Sequence, residues 1–383
     1  MARKGISTKK DMYSLNRRQA LAEVAGIGIA ARGARGTQAN SAVALGVIGT
    51  GGRGRFDLGL FAKDGRARIV ALCDISSEAI DKTKTAVPAA EKASVYKDHR
   101  DLLADRSVDA VLIATPVFLH PEHFEAAVDA RKHIYIEKPA GADVAGVKRL
   151  LAAAQRADKS KHIVFGFQSR FSPEYRAAEE ILRTGKLGDL LMMESHFIKG
   201  SVGTRPPSAP EDRVKHWGAW RDLSGDFIVE QDCHGLDILN WFVKRHPIKA
   251  IGSGGRVKRK YGDNLDNISV TYEYPGNLRG MLVATQVTVP RYRDVREQFF
   301  GTLGVLETHR EYYKWDRGDG PVAHVKSKRE ITIDAVEEFL TKVLAGKPEN
   351  HAFSACESTF TSLLGRLAID TRREVTWDEM LAS

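Results

Sequence analysis

Val43-Ala44-Leu45-Gly46-Val47-Ile48-Gly49-Thr50-Gly51-Gly52-Arg53-Gly54 is an apolar run of strand character that ends in G-x-G-x-x-G. An amphipathic helix pattern follows. Three glycines at this spacing recur by chance, so the context decides: strand before, helix after, and an acid 20 residues beyond Gly54. A turn of this kind brings backbone N–H groups and a helix N-terminus against a pyrophosphate, and a side chain at Gly51 would fill the space that the phosphates need. Gly49, Thr50, Gly51, Gly52, Arg53 and Gly54 are therefore the expected phosphate contacts.

The acid is Asp74, at the end of Arg68-Ile69-Val70-Ala71-Leu72-Cys73. A carboxylate at the tip of the second strand accepts ribose hydroxyls and repels a 2′-phosphate. No arginine follows, since Ile75, Ser76 and Ser77 come next. The expected cofactor is NAD rather than NADP.

Working outward, the pattern from 43 to about 165 alternates strands (43–49, 68–74, 110–114, 133–136, 162–165) with helices from about 53, near 77–86, 121–131 and 143–156. Such alternation implies a parallel, doubly wound sheet, with ligands beyond the carboxyl ends of its strands. Thr115, Pro116, Glu137, Lys138 and Gln168 all fall at such ends. After about 170 the segments 190–198, 268–274, 280–288 and 298–308 read as longer, partly alternating strands. Helices are expected near 234–243, 333–345 and 354–371. The fold class is α/β: a Rossmann domain over 41–165, then an α+β domain over 166–383 with a mostly antiparallel sheet.

Length and composition agree. At 383 residues the chain has room for two domains, and no apolar run approaches the roughly 18 residues needed to span a bilayer. The net charge of +9 is concentrated at the start: residues 1–40 hold eight Lys/Arg against two Asp/Glu, and the rest holds 50 against 47. The run Arg256-Val257-Lys258-Arg259-Lys260 has no interleaved aromatics, so no nucleic-acid partner is expected. Cys73, Cys233 and Cys356 are odd in number and far apart, which suits neither a disulfide framework nor a metal cluster. Residues 1–40 have a basic start, then Ser14-Leu15-Asn16-Arg17-Arg18-Gln19-Ala20-Leu21, a weakly apolar stretch and small residues near Ala39 and Ala42. This resembles a twin-arginine export signal, although Glu23 interrupts the apolar stretch and Ala20 stands where a large apolar residue is usual. The expected location is then the periplasm; a disordered basic extension on a cytoplasmic protein is the other reading.

Glu137-Lys138-Pro139 after a strand of this fold, with His234-Gly235-Leu236-Asp237 opening a helix in an α+β domain, resembles the glucose-fructose oxidoreductase/inositol dehydrogenase (Gfo/Idh/MocA) family. The resemblance covers about 41–383 and extends to Glu357-Ser358-Thr359 and Val375-Thr376-Trp377-Asp378. It implies an NAD-dependent oxidoreductase acting on a carbohydrate or polyol, assembled as a dimer or tetramer through the open face of the second sheet. Lys138 matches the family's active-site lysine. His234 matches the catalytic histidine of D-x-G-x-H-x-x-D and Asp237 its last acid, and both are expected among the substrate contacts. Glu230 stands where Asp is usual and Asp232 where Gly is usual. Glu230 is therefore a third catalytic candidate, of open role, able to reach substrate or His234. Asp232 binds a sugar hydroxyl or caps the helix.

The residue types suit the chemistry. A neutral histidine can take a hydroxyl proton, and an ammonium beside the same oxygen stabilises a developing alkoxide. His120 is read as contacting the nicotinamide ribose or as packing. Arg170 and Arg221 hold substrate hydroxyls or form structural ion pairs, and Trp217 and Trp220 stack on a sugar or join the core. If the protein is exported, its NAD is expected to be retained and recycled in place. One alternative stays open, glycoside cleavage by transient oxidation and elimination. The exported NAD-dependent α-N-acetylgalactosaminidases carry T-H-G-L-G, similar to Cys233-His234-Gly235-Leu236-Asp237, but lack the lysine that this chain keeps at 138. A sugar-binding relative without catalysis would need neither Lys138 nor His234.

Overall fold

The computed structural model describes residues 42–200 and 212–383. Arg17, Arg18 and the rest of the tail lie outside the described residues. Two sheets organise everything else. The first has six strands: β1 (Val43–Ile48), β2 (Ala67–Cys73), β3 (Ser94–Tyr96), β4 (Ala110–Ile113), β5 (His133–Ile136) and β6 (Ile163–Phe165). All pairs are parallel, in the order β3-β2-β1-β4-β5-β6. This is the dinucleotide-binding order, with its crevice between β1 and β4, where the winding reverses. Helices Gly52–Asp64, Ser77–Ala86, His120–Asp129 and Val144–Gln155 cover its faces, at the places that the apolar periodicity predicts. Ser76 and Asp143 start two of them by accepting the N–H groups of Ala79 and Gly146. In this sheet only β3, three largely exposed residues at an edge, escaped the sequence pattern.

The second sheet has nine strands: β7 (Leu190–Gly200), β8 (Lys249–Gly255), β9 (Asn267–Tyr274), β10 (Leu278–Thr288), β11 (Arg293–Gly301), β12 (Val305–His309), β13 (Tyr312–Asp316), β14 (Ala323–Lys326) and β15 (Val375–Thr376). Their order is β14-β13-β12-β11-β7-β10-β9-β8-β15. Every pair is antiparallel except β7 with β10. The expected strand 298–308 is in fact a hairpin, β11 turning into β12 at 302–304, where the Gly301 N–H closes onto Gly304 O at 2.9 Å.

The division at 165/166 is too simple in one respect. Helix Ile331–Leu344 packs against the nucleotide-binding sheet, so its buried Ala335, Val336, Phe339 and Leu340 share a core with Leu45, Val47, Leu58 and Phe61. Phe339 meets Phe61 and Tyr135 edge to face, at ring separations of 5.8 and 5.7 Å. Long-range packing of this kind leaves no local sequence signal. Phe339→Ala is expected to cost about 3–5 kcal/mol of stability in chemical denaturation, because it opens a cavity in the first core; a loss under about 1 kcal/mol would mean the helix is a detachable appendage.

Candidate active site

The glycine turn is built by sterics and braced by Asp74. A Cβ at Gly54 would sit 2.0 Å from Gly49 O, so only glycine lets the helix start this close to β1. Beside Gly51 and Gly52, by contrast, nothing lies within 4 Å of a notional Cβ. The helix cap at Gly51 has no side-chain hydrogen bond. Open space over an uncapped helix N-terminus is what a pyrophosphate needs, so these residues fit the cofactor. Asp74 Oδ2 accepts the Thr50 N–H at 2.8 Å and hydroxyl at 3.1 Å, and Oδ1 accepts the Ser76 N–H at 2.9 Å. A carboxylate has about four acceptor positions, so one remains for a ribose hydroxyl. Thr50 itself is fully buried and braces the turn.

Arg53 leaves the turn for the neighbouring strand end. Its guanidinium meets Glu137 Oε1 at 2.7 and 2.9 Å and Asp57 at 3.0 Å. Asp57, one helical turn on, escaped the sequence reading. Burial, reinforced by the nearby Glu137, pushes its carboxyl well above the usual carboxylate range. Glu137 is buried and also takes Gln168 Nε2 at 3.4 Å, which makes it an anchor for the crevice wall.

A cleft of about 410 Å³ opens between the carboxyl ends of the first sheet and one face of the second. Thr115, His120, Glu137, Lys138, Gln168, Trp217, Glu230 and His234 all line it, together with Arg53. Lys138 and His234 thus come from different sheets' connections, 96 residues apart in the chain, to one space. The Lys138 ammonium donates to Glu230 O and, at 3.2 Å, to Glu230 Oε1. Burial alone would lower the lysine pKa; the surrounding negative groups, Glu230 foremost and Glu137 among them, together outweigh it and hold the ammonium above its ordinary value. For Glu230, burial works upward and is overcome by Lys138 and by Gln231, whose amide donates to Oε2 at 2.5 Å, so the carboxyl stays below its ordinary range. Glu230 is therefore the counter-ion of Lys138, and no bond joins it to His234.

His234 sits on the first turn of helix Cys233–Val243. The next residue must be glycine, because a Cβ at Gly235 would fall 2.0 Å from Ser195 Oγ on β7. The helix therefore lies flush on the sheet and holds the imidazole over its floor. Burial, then the charges of Lys138, Arg310, Arg53 and Lys199, keep the His234 pKa well below 6.5. The ring is neutral at physiological pH and ready to accept a proton.

Helix Ala352–Thr371 fastens the Lys138 and His234 segments. Ser358 Oγ donates to Asp237 Oδ1 at 2.7 Å on the His234 helix, and Thr359 Oγ1 accepts the Ala140 N–H at 3.0 Å just after Lys138-Pro139. His120 braces the same loop from behind. Its ring nitrogens lie 2.7 Å from Pro139 O and 2.9 Å from Thr115 O, so both are occupied and the ring positions the loop from the cleft wall.

Four expected substrate contacts stand elsewhere. Arg170 and the buried Asp237 grip each other, at 2.7 to 3.1 Å. Arg221 pairs with Asp226 at 3.1 Å and Asp370 at 2.6 Å. Asp232 is fully buried, makes no cap bond, and is driven well above its normal pKa by burial. None of the four lines the cleft. Trp217 does line it, whereas Trp220 packs on Tyr261 at 5.5 Å and under Arg213. The sequence reading missed Tyr175, Lys199, Arg293, Glu297 and Arg310, which complete the walls. The period-two alternation of β7 and β11 was the available signal for three of them.

Comparison with known proteins follows this geometry. Residues 43–165 match the family described as "Oxidoreductase family, NAD-binding Rossmann fold" (Gfo/Idh/MocA), and 175–307 match the Gfo/Idh/MocA C-terminal domain. The chain belongs to this family. It is an NAD-dependent oxidoreductase. Myo-inositol 2-dehydrogenase of Thermotoga maritima is 25% identical over 355 residues, covering 88% of this chain and 99% of the relative. Scyllo-inositol dehydrogenase of Lactobacillus casei, solved with NAD(H) and scyllo-inositol, superposes with TM-score 0.71 at 21% identity, covering 89% of this chain and all of that one. Levoglucosan dehydrogenase, solved with NADH and levoglucosan, gives TM-score 0.74 at 16% identity, covering 87% and 99%.

Two variants separate binding from scaffold. Gly51→Val is expected to fold normally, since its backbone has ordinary φ and free space, and to weaken NAD by roughly ten- to a hundredfold in fluorescence titration. Unchanged affinity would remove the phosphates from this turn. Arg170→Met leaves Asp237 buried and unpaired; it is expected to cost about 3 kcal/mol or more in denaturant unfolding, with KM little changed. A large rise in KM with normal stability would return Arg170 to the substrate.

Proposed function

We propose that the protein oxidises a secondary hydroxyl of a carbohydrate or polyol, or reduces the corresponding ketone. The observation that carries this reading is the meeting of Lys138 and His234 in one cleft beside the dinucleotide crevice. NAD, when bound, supplies the hydride acceptor. The hydroxyl proton goes to neutral His234, and the Lys138 ammonium stabilises the alkoxide oxygen as its negative charge grows. In the reducing direction the same lysine polarises the ketone, and a protonated His234 returns the proton. The dehydrogenases of myo-inositol, scyllo-inositol and levoglucosan among the similar proteins support a polyhydroxylated substrate.

Lys138 also favours this reading over glycoside cleavage by transient oxidation. The NAD-dependent glycosidases that the His234 segment resembles do without this lysine, whereas here it stands in the cleft against Glu230. We read the tail with Arg17-Arg18 as an export signal to the periplasm and the NAD as retained; the support is the sequence of that tail. Self-association through the outer face of the nine-stranded sheet belongs to the same proposal, supported by the exposed Ile251 and Val283 on that face.

The test is NADH formation by the purified protein across a panel of sugars, polyols and aryl glycosides, with mass spectrometry for bound NAD. Ketosugar with NADH is expected. Aglycone release without NADH would overturn the proposal. Lys138→Ala is expected to lower kcat by roughly 100- to 1000-fold, and His234→Ala by roughly 100- to 10,000-fold. Because the His234 pKa is depressed, its basic form persists into mild acid. The acidic limb of kcat/KM for oxidation should therefore fall well below pH 6.5. A limb at or above that value would exclude His234 as the base.

A further inference from the structure

The floor of the cleft is a short ladder of residues from two adjacent strands. β7 and β11 pair antiparallel with Ser195 opposite Glu297, Phe197 opposite Val295, and Lys199 opposite Arg293. Residues two apart on a strand share a face, so all three rungs look the same way. Five of these six side chains, all but Ser195, line the cleft that holds Lys138 and His234. The rungs differ in kind: a hydrogen-bonded acid at one end, an apolar pair in the middle, two cations at the other end.

The two cations are unexpected on structural grounds. Like charges directly opposite each other on neighbouring strands destabilise a sheet. Each of the other cations lining the cleft has a carboxylate: Arg53 has Glu137, Lys138 has Glu230 and Arg310 has Glu330. Neither Lys199 nor Arg293 forms an ion pair among the described residues, although Glu230 and Asp232 act on Lys199 from beyond ion-pair distance. Lys199 Nζ donates to a neutral oxygen, Gln231 Oε1, at 3.2 Å, and lies over the Phe197 ring at 4.5 Å. The Arg293 side chain makes no hydrogen bond or ion pair among the described residues. The acid on the floor does not compensate, because burial pushes Glu297 up to about 8, and Thr308 Oγ1 donates to its Oε2 at 2.8 Å. The cleft therefore keeps an excess of positive charge at one end of its sheet floor. It stands on the substrate-domain sheet, not at the glycine turn that receives the cofactor's phosphates.

We infer that the sugar substrate is anionic, with a carboxylate or phosphate group seated between Lys199 and Arg293 and its hydroxyls extending along the ladder toward His234. An oxyanion there supplies the missing counter-charge and turns a repulsive rung into a bridged one. Gln231 joins the two ends of the site. Its oxygen accepts from Lys199 while its amide donates to Glu230, the counter-ion of Lys138. The inference rests on the sugar oxidoreductase reading and narrows its substrate class.

The experiment is calorimetric titration of the full-chain protein, saturated with NAD, at low salt. The matched probes are D-glucuronate and D-galacturonate, D-glucose and D-galactose, and the two 6-phosphates. At least one anionic sugar is expected to bind tenfold or more tightly than its neutral counterpart, and the arm that does so distinguishes carboxylate from phosphate. Lys199→Met and Arg293→Met are each expected to cut that advantage by roughly ten- to a hundredfold, the usual worth of a charged hydrogen bond. Lys199→Arg should restore part of it. Since removing one cation relieves repulsion, the thermal midpoint of either Met variant should not fall; a drop of many degrees would make the pair structural and overturn the inference. Equal binding of neutral and anionic sugars would overturn it too, as would an equal loss of NAD affinity in the variants. Turnover is read separately. Selective binding without NADH formation would count against the dehydrogenase and leave the anion site standing, whereas NADH formation from neutral sugars with no anionic preference would do the reverse.

Discussion

An ammonium taken out of water must meet a counter-charge, and Lys138 meets Glu230. That pair spans the boundary between the nucleotide-binding sheet and the substrate domain. Lysine leaves the end of β5; glutamate arrives on the short turn that precedes the His234 helix. A pair buried this way is strongly destabilised if one partner is lost, so it fixes the separation of the two segments as well as the charge state of each. The lysine stays protonated although burial opposes it, and the histidine stays neutral partly because the lysine is charged. The contact thus bears on the charge of both groups, with burial the larger cause of the neutral histidine.

Other parts of the fold keep that contact in place. Ser358 and Thr359, adjacent on one long helix, hold the His234 helix through Asp237 and the Lys138 loop through Ala140. His120 ties the same loop back to Thr115. Arg170 neutralises Asp237 from the far side. The polar groups of these residues are taken up by one another and by the backbone. Their work is to hold two segments from distant parts of the chain at hydrogen-bonding distance.

That difference marks what could be read from the sequence. Gly49 to Gly54, Asp74, Lys138 and His234 were legible because each lies at a fixed offset from a strand or helix end, and backbone geometry alone gives the offset meaning. The strands of the first sheet were legible for the same reason. Arg170, Arg221, Asp232 and Asp237 were not, because the side chain that satisfies or buries each of them is fixed only by packing. Arg170 and its partner are 67 residues apart. Lys199 and Arg293 carry no motif; their meaning appears only when β7 and β11 are laid in register. Helix 331–344 follows the second domain in sequence, and only its packing assigns its apolar face to the first sheet.

In the proposed mechanism Glu230 is the chief group keeping Lys138 protonated. The measurement closest to this claim is the alkaline limb of kcat/KM in the natural protein and in Glu230→Gln. Removing the carboxylate leaves burial, which lowers a lysine pKa, without the attraction that offsets it. The account predicts that the alkaline limb moves to distinctly lower pH in the variant, with NAD affinity retained. An alkaline limb at the same pH in both proteins would contradict it.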